Sequence, residues 1–337
     1  MRDQHTRRRR VWLFGGLCVA AALLAGGYTA RAVWRESRTN EPLHEMSSRL
    51  EAPPPAPFLV VRSTARESFR KLLMVPLAAS TGPAYETSLE CERAYLAAKR
   101  GICLTVEDGV AQRNVAYIFD EHFSRLHRIL LTGLPSRTRV SQDGQRAAIT
   151  VFEHGHSYAE AGFSTRTTIL DTDTGRIIGD LEQFTILRDG KRLKAVDFNF
   201  WGVTFKSDGN GFFATLASGG TKYLVEGDID AREGRVVRTG VECPSLSPDN
   251  TKLVYKDLIH QWGFWQLRLY NLQTGEDRPL VSETRSVDDQ VDWLDNDHVL
   301  YHITGARGAD VWALNTNGVE APKVLREYAY SPAVVRQ

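Results

Sequence analysis

Leu246-Ser247-Pro248-Asp249-Asn250 runs directly into TKLVYKD at residues 251–257. A hydrophobic strand end meets a Ser/Pro/Asp/Asn cluster, and a β-branched, aromatic strand follows, which is the chemistry of a tight hairpin turn. Three other stretches have the same build. Val140-Ser141-Gln142-Asp143-Gly144 precedes RAAITVF (146–152), Phe205-Lys206-Ser207-Asp208-Gly209-Asn210 precedes GFFATLA (211–217), and Trp293-Leu294-Asp295-Asn296-Asp297 precedes HVLYHI (298–303). A third strand then ends in a second turn at a matching place: Asp171-Thr172-Asp173-Thr174-Gly175, Asn271-Leu272-Gln273-Thr274-Gly275, and Asn315-Thr316-Asn317-Gly318. Each is followed by a fourth strand, so the repeating unit is a four-stranded meander.

The turn aspartates stand 65, 41 and 46 residues apart, from Asp143 to Asp208, Asp249 and Asp295. The two shorter intervals match the roughly 40–50 residues of a propeller blade. The longest is one blade plus an insertion, which the stretch 183–199 supplies. Upstream, residues 90–131 make a further blade and 58–80 a shorter one, for six in all. The shorter blade lacks a strand that 330–335 at the carboxyl end can fill, closing the ring and removing exposed sheet edges. Helical periodicity is almost absent beyond residue 57, so the expected fold is all-β, a six-bladed β-propeller.

Ser247-Pro248-Asp249-Asn250-x-x-Leu253-x-Tyr255 resembles the WD40-like repeat of TolB-type propellers, and the turns at Asp143 and Asp208 resemble it more weakly. The likeness covers roughly residues 58–335 and includes no catalytic signature. It implies a six-bladed propeller outside the bacterial cytoplasm that binds other proteins in a translocation-related role. The chain differs from periplasmic TolB in its apolar amino-terminal run and in showing no separate amino-terminal α/β domain.

That run, residues 11–30, is VWLFGGLCVAAALLAGGYTA and carries no charge. At about 1.5 Å per residue it is long enough, about 30 Å, to cross a hydrocarbon core. Arg7, Arg8, Arg9 and Arg10 precede it, so the positive-inside rule puts residues 1–10 in the cytoplasm and the remainder outside. A cleaved signal peptide is the other reading, with Ala30-Arg31-Ala32 as its site; the apolar run exceeds the roughly 7–15 residues of an h-region, which favours a retained transmembrane helix. Residues 31–56 are polar and end in Pro53-Pro54-Pro55, a semi-rigid linker. The propeller then spans 57–337. The expected location is the cell membrane, single-pass, with the propeller outside.

Net charge is +1 overall and +4 within residues 1–10, which leaves −3 on the remainder. A nucleic-acid binder would carry its basic field on the folded part, so that class is excluded. G-x-S-x-G, Walker and dinucleotide glycine loops are absent, and no length is left for a hydrolase domain. No cofactor is expected. Cys91 and Cys103, twelve residues apart on neighbouring strands, are either a cross-strand disulfide or two buried thiols; Cys243 is left over.

Candidate contacts for a ligand or partner fall in four places. His154, His156 and Tyr158 lie in a loop joining second and third strands; Glu153 and the two imidazoles have metal-binding composition, but no metal site is assigned. Asp197 and Asn199 precede the fourth blade and Asp288 and Asp289 the sixth, and both pairs should line the channel mouth on the top face. Trp262 belongs to an aromatic-rich connection that suits an interface. The basic insertion 188–194 should lie beside the histidine loop. Two functions follow: a membrane-tethered module that binds a cell-envelope or membrane protein, without catalysis, or a propeller hydrolase or lyase using histidines and carboxylates of the top face. A small-molecule ligand is left unassigned.

Overall fold

The computed structural model describes residues 49–109, 111–155, 162–260, 263–318 and 320–336. Residues 48–337 form one compact unit. The expected tail, the membrane run 11–30 and most of the linker therefore lie outside the described residues, as do His156, Tyr158 and Trp262. No helix among the described residues is long and apolar enough to cross a membrane.

Six sheets form the propeller. The first takes β1 (Phe58–Ser63), β2 (Lys71–Pro76) and β3 (Tyr85–Glu90), so it runs ten residues beyond the expected end at Ser80. The second is β4 (Arg93–Ala97), β5 (Arg100–Glu107), β6 (Arg113–Asp120) and β7 (Arg125–Leu130). The third is β8 (Leu134–Val140), β9 (Arg146–His154), β10 (Ser164–Asp171) and β11 (Ile177–Asp180). In the fourth, β12 (Thr185–Arg188) and β13 (Lys191–Arg192) come first, then β14 (Asn199–Phe205), β15 (Gly211–Ser218), β16 (Thr221–Asp228) and β17 (Glu233–Thr239). The fifth is β18 (Glu242–Leu246), β19 (Lys252–His260), β20 (Phe264–Asn271) and β21 (Asp277–Pro279); the sixth is β22 (Asp292–Trp293), β23 (His298–Gly305), β24 (Gly308–Asn315) and β25 (Lys323–Arg326). The last strand, β26 (Ala329–Val335), pairs antiparallel with β1 and becomes the innermost strand of the first sheet. The two ends of the propeller thus close its ring as the sequence requires.

The repeated aspartates close turns through their side chains. Asp143 Oδ1 accepts the Gln145 N–H at 3.0 Å, Asp208 Oδ1 that of Gly211 at 2.7 Å, Asp249 Oδ1 that of Thr251 at 3.1 Å, and Asp295 Oδ1 that of His298 at 2.8 Å. Successive turns also cap one another: Asn250 Oδ1 accepts the Ser207 N–H and Asn296 Oδ1 the Asp249 N–H. Asp171 accepts the Thr174 N–H at 2.9 Å and is a turn residue of the same kind.

The outermost strands are the least buried. All six residues of β1 are buried because neighbouring sheets cover both faces, whereas four of the six on outermost β7 are exposed. Trp201, Trp265 and Trp293 are buried between sheets; full burial of a large apolar side chain contributes about 1.5–3 kcal/mol. Cys91 and Cys103 form a disulfide with 5.4 Å between their Cα atoms, and Cys243 is a buried free thiol.

The insertion extends the fourth sheet on its outer side. β12 runs parallel to β17 on the outer edge of the fourth sheet, so β15, β16 and β17 separate the basic hairpin 188–194 from inner strand β14. Its edge position follows from hydrogen bonding: β17 offers a free edge there, and β12 satisfies it.

Candidate functional site: a blind funnel over an ion-paired floor

Four inner strands, β8, β14, β18 and β22, start at one end of the channel and run into their Asp turns at the other. At the starting end a funnel of about 740 Å³ opens. Arg62, Phe69, Glu92, Arg93, Arg137 and Tyr330 line it, together with Leu134, Pro135 and Phe152, which supply an apolar wall. Below them the void shrinks to about 20 Å³ among Arg93, Arg137, Arg139, Asp289 and Gln290. A separate cavity of about 360 Å³, bounded by Ala98, Val140, Phe205, Leu246 and Arg336, opens where the inner strands end. The channel is therefore stoppered in the middle.

The stopper is residues 288–292, which lead into β22 and touch all five other sheets. Asp289 pairs with Arg93 of the second sheet at 3.3 Å, and Asp292 with Arg139 of the third at 2.7 Å. Gln290 Nε2 donates to the carbonyls of Val203 and Pro244, both at 2.9 Å, in the fourth and fifth sheets. Asp292 Oδ2 accepts the Val334 N–H on β26 at 2.8 Å. Asp288 bonds the Lys256 ammonium, which is fully buried against the Trp265 ring at 4.0 Å. Such pairs contribute modestly net, but stripping one partner from a buried pair costs about 3–5 kcal/mol.

Aromatic rings hold the cations in place. Arg93 lies 4.2 Å from the centre of the Tyr330 ring, which also packs against His302 at 4.0 Å and Arg62 at 5.6 Å. Arg62 lies 4.8 Å over Phe69, a rim residue 55% exposed, and reaches Glu92 at 3.1 Å. Arg137 donates to the Asp288 carbonyl at 3.3 Å.

Electrostatics fix the protonation of this floor. Burial opposes the charge on Asp289, but His302, Arg93 and Arg137 outweigh it and hold the carboxyl well below the usual range. Burial likewise opposes Asp288, and Lys256 and Arg137 bring it down. Burial lowers His302 despite the Asp289 carboxylate beside it, so the imidazole is neutral at pH 7 and donates Nδ1–H to Asp289 at 2.6 Å. The Tyr95 hydroxyl, which donates to Asp292 at 3.0 Å, is pushed up to about 12 by burial and that carboxylate. A general acid needs a pKa near the working pH; Asp288 and Asp289 are held away from it as ion-pair partners.

Of the residues singled out by sequence, Asp288 and Asp289 come together here. Asp197 and Asn199 do not line the funnel. Asp197 is exposed and accepts the Ser218 hydroxyl and the Gly219 N–H, both at 2.7 Å, tying down a hairpin tip. Asn199 Oδ1 accepts the Thr165 N–H at 2.8 Å, joining the fourth sheet to the third. His154 is an exposed residue at the end of β9, paired with Ser164. No group of metal-ligating side chains occurs among the described residues. Sequence reasoning did not reach Arg62, Arg93, Arg137, His302 or Tyr330. The alternation Arg93-x-Tyr95 and Arg137-x-Arg139 on strands that open a blade was the available signal, since period two puts both members on one face.

No protein-family profile and no curated protein matches the chain. Solved structures do. TolB from Acinetobacter baumannii is 16% identical with a TM-score of 0.53, over 82% of this chain and 65% of that one. The chain thus spans just under two thirds of that TolB. A chain of a nidogen/laminin complex is 13% identical with a TM-score of 0.50, over 82% of this chain and 97% of its own length. The putative TolB from Agrobacterium tumefaciens is 14% identical with a TM-score of 0.47, over 80% and 87%. At such identities the likeness establishes fold: a TolB-like six-bladed propeller.

Proposed function

We propose that this six-bladed propeller, TolB-like in fold, is a binding module that docks a protein partner over its funnel, tethered outside the cytoplasm by its apolar amino-terminal run. The observation that carries the reading is the stoppered channel. Its middle narrows to about 20 Å³, and the carboxylates at its floor are committed to Arg93, Lys256 and His302, while the mouth above stays open and presents Arg62, Phe69 and Tyr330. Arginine and aromatic side chains around a concave surface are the groups that dominate binding energy at interfaces. Similar propellers occur as TolB and within a nidogen/laminin complex, which accords with a partner-binding role. The apolar run 11–30 behind four consecutive arginines supports the tether and the orientation, and a cell-envelope or membrane protein as partner.

A photo-reactive amino acid placed at Phe69 of the full-length chain in its native cells tests this. A control placed at Val324, on the outermost strand β25 and 37% exposed, faces away from the funnel. One reproducible cross-linked protein from position 69 that is missing from position 324 supports funnel docking. Identical products from both positions, or none from position 69, overturn it.

A further inference from the structure

We infer that the funnel receives the free carboxyl end of a polypeptide, with the terminal carboxylate on Arg93 and Arg137 and the last side chain against Leu134, Pro135 and Phe152. This rests on the docking reading above and names what is docked.

Charge comes first. Five cations line the funnel or brace its lining: Arg62, Arg70, Arg93, Arg137 and Lys256. Three carboxylates do so, Glu92, Asp288 and Asp289, which leaves a surplus of two positive charges. An anion is the complementary guest, and bonds between guanidinium and carboxylate are about twice as strong as neutral ones. The cations are also held still. Asp289 and the Tyr330 ring fix Arg93, and Arg62 donates both to Glu92 and to the Cys91 carbonyl at 3.1 Å. Little side-chain freedom is left to lose on binding.

Depth distinguishes a chain end from an internal acidic residue. A volume of about 740 Å³ falls within the ~300–1,000 Å³ of pockets that engulf a small ligand. With the floor closed, an internal residue would have to bring the chain in and out again; an end brings a single strand.

The apolar wall supplies the third argument. Leu134, Pro135 and Arg137 stand on the same inner strand, at most three residues apart, which is about 10 Å. A terminal residue carries its carboxylate and its side chain on one Cα, so a single residue can satisfy the cation and the wall together.

The test measures binding of the full-length chain in detergent micelles to fluorescent Gly-Ser-Gly-Ala-Leu as the free acid and as the carboxamide. The free acid should bind at least tenfold more tightly. That preference should fall to within about twofold in Arg137→Gln, and in Arg93→Gln as a second variant, while Leu134→Ser should weaken the acid without erasing the preference. Equal binding of acid and amide by the unaltered chain overturns the inference, as does absence of binding at millimolar peptide. Equal binding of an amidated peptide with an internal Glu overturns it in favour of an acidic side chain. A partner still cross-linked at position 69 alongside any of these failures leaves docking intact and removes only the carboxyl end; loss of both removes both.

Discussion

Asp289 Oδ2 lies 2.6 Å from His302 Nδ1, and its other oxygen lies 3.3 Å from Arg93, so a carboxylate 2% exposed ties the sixth sheet to the second at the channel floor. The Tyr330 ring, packed against both His302 and Arg93, brings the closing strand β26 to the same point. The funnel floor and the closure of the ring are thus one structure, and its protonation should be visible in stability.

Both members of the pair push the same way with pH, in different windows. His302 is lowered by burial in the fold, so the unfolded chain takes up a proton that the folded chain refuses, and stability falls as pH drops below about 6.5. Asp289 is lowered as well, so its contribution is complete above about 3.9 and is lost as pH falls further. Thermal melting should show a decline from pH 7 to 5 that His302→Gln, which keeps a donor for Asp289, largely removes. Asp289→Asn should cost about 3–5 kcal/mol at pH 7 and flatten the decline below pH 4. An unchanged slope in His302→Gln between pH 7 and 5 would show that this imidazole is not the group responsible.

Gly202 packs against the inner strand of the next sheet. Its φ is +64°, and a Cβ there would stand 2.6 Å from the Cys243 Cα, a backbone atom that cannot swing aside. Gly202→Ala should cost about 2–5 kcal/mol, combining left-handed strain with overpacking. Gly219 also has positive φ, +57°, but nothing lies within 4 Å of its Cβ position, so Gly219→Ala should cost only about 1–2 kcal/mol. Chemical denaturation of the two variants separates steric from conformational cost; equal losses would contradict the close approach at Gly202.

Much of the fold was legible because it is written in local turn chemistry. Asp143, Asp208, Asp249 and Asp295 each mark a turn with their own side-chain bond, and their spacing measures the sheets without any long-range information. The closing strand could be read by subtraction, since the first sheet was a strand short. The edge position of β12 was not readable, because parallel pairing with β17 is fixed by a contact across nearly fifty residues. Asp197 looked like a channel residue from its place before an inner strand. Its carboxylate instead satisfies the Gly219 N–H, a bond formed only once β14 and β15 pair. The cations of the floor escaped for a related reason: Arg93 and Arg137 are remote in sequence from Asp289 and become its neighbours only when the ring closes.

Ring closure itself predicts a sharp truncation boundary. Ala333, Val334 and Val335 are all at most 4% exposed, and β26 covers the inner edge of β1. Ending the chain at Tyr328 removes that strand, uncovers an apolar edge that recruits other chains, and withdraws the Asp292 partner at Val334. The loss should exceed the roughly 5–15 kcal/mol of a typical domain, leaving an aggregated product by size-exclusion chromatography and no cooperative melt. Removing Gln337 alone should leave the melt unchanged. A soluble, cooperatively melting chain ending at Tyr328 would contradict closure by β26.

Glu182 makes a second tie between sheets, with the opposite pH sign. It sits in the short 3-10 turn Leu181–Gln183, and its carboxylate accepts the Thr167 N–H on β10 at 3.0 Å and the Phe200 N–H on β14 at 3.1 Å. Burial pushes its carboxyl up to about 8, against these N–H bonds. Because the folded value lies above the ordinary one near 4.3, the stability this group contributes is complete below about pH 4 and is lost as pH rises through 8. Glutamine keeps an acceptor oxygen without the charge. Glu182→Gln should therefore match the unaltered chain near pH 4 and melt higher than it at pH 9. Glu182→Ala leaves two backbone donors unpaired and should be worse at both, by about 1–3 kcal/mol for each donor stranded from water. If the Gln variant instead melts lower at pH 9, the two N–H groups favour the charged carboxylate more than burial opposes it, and the third and fourth sheets are held by an ionised clasp.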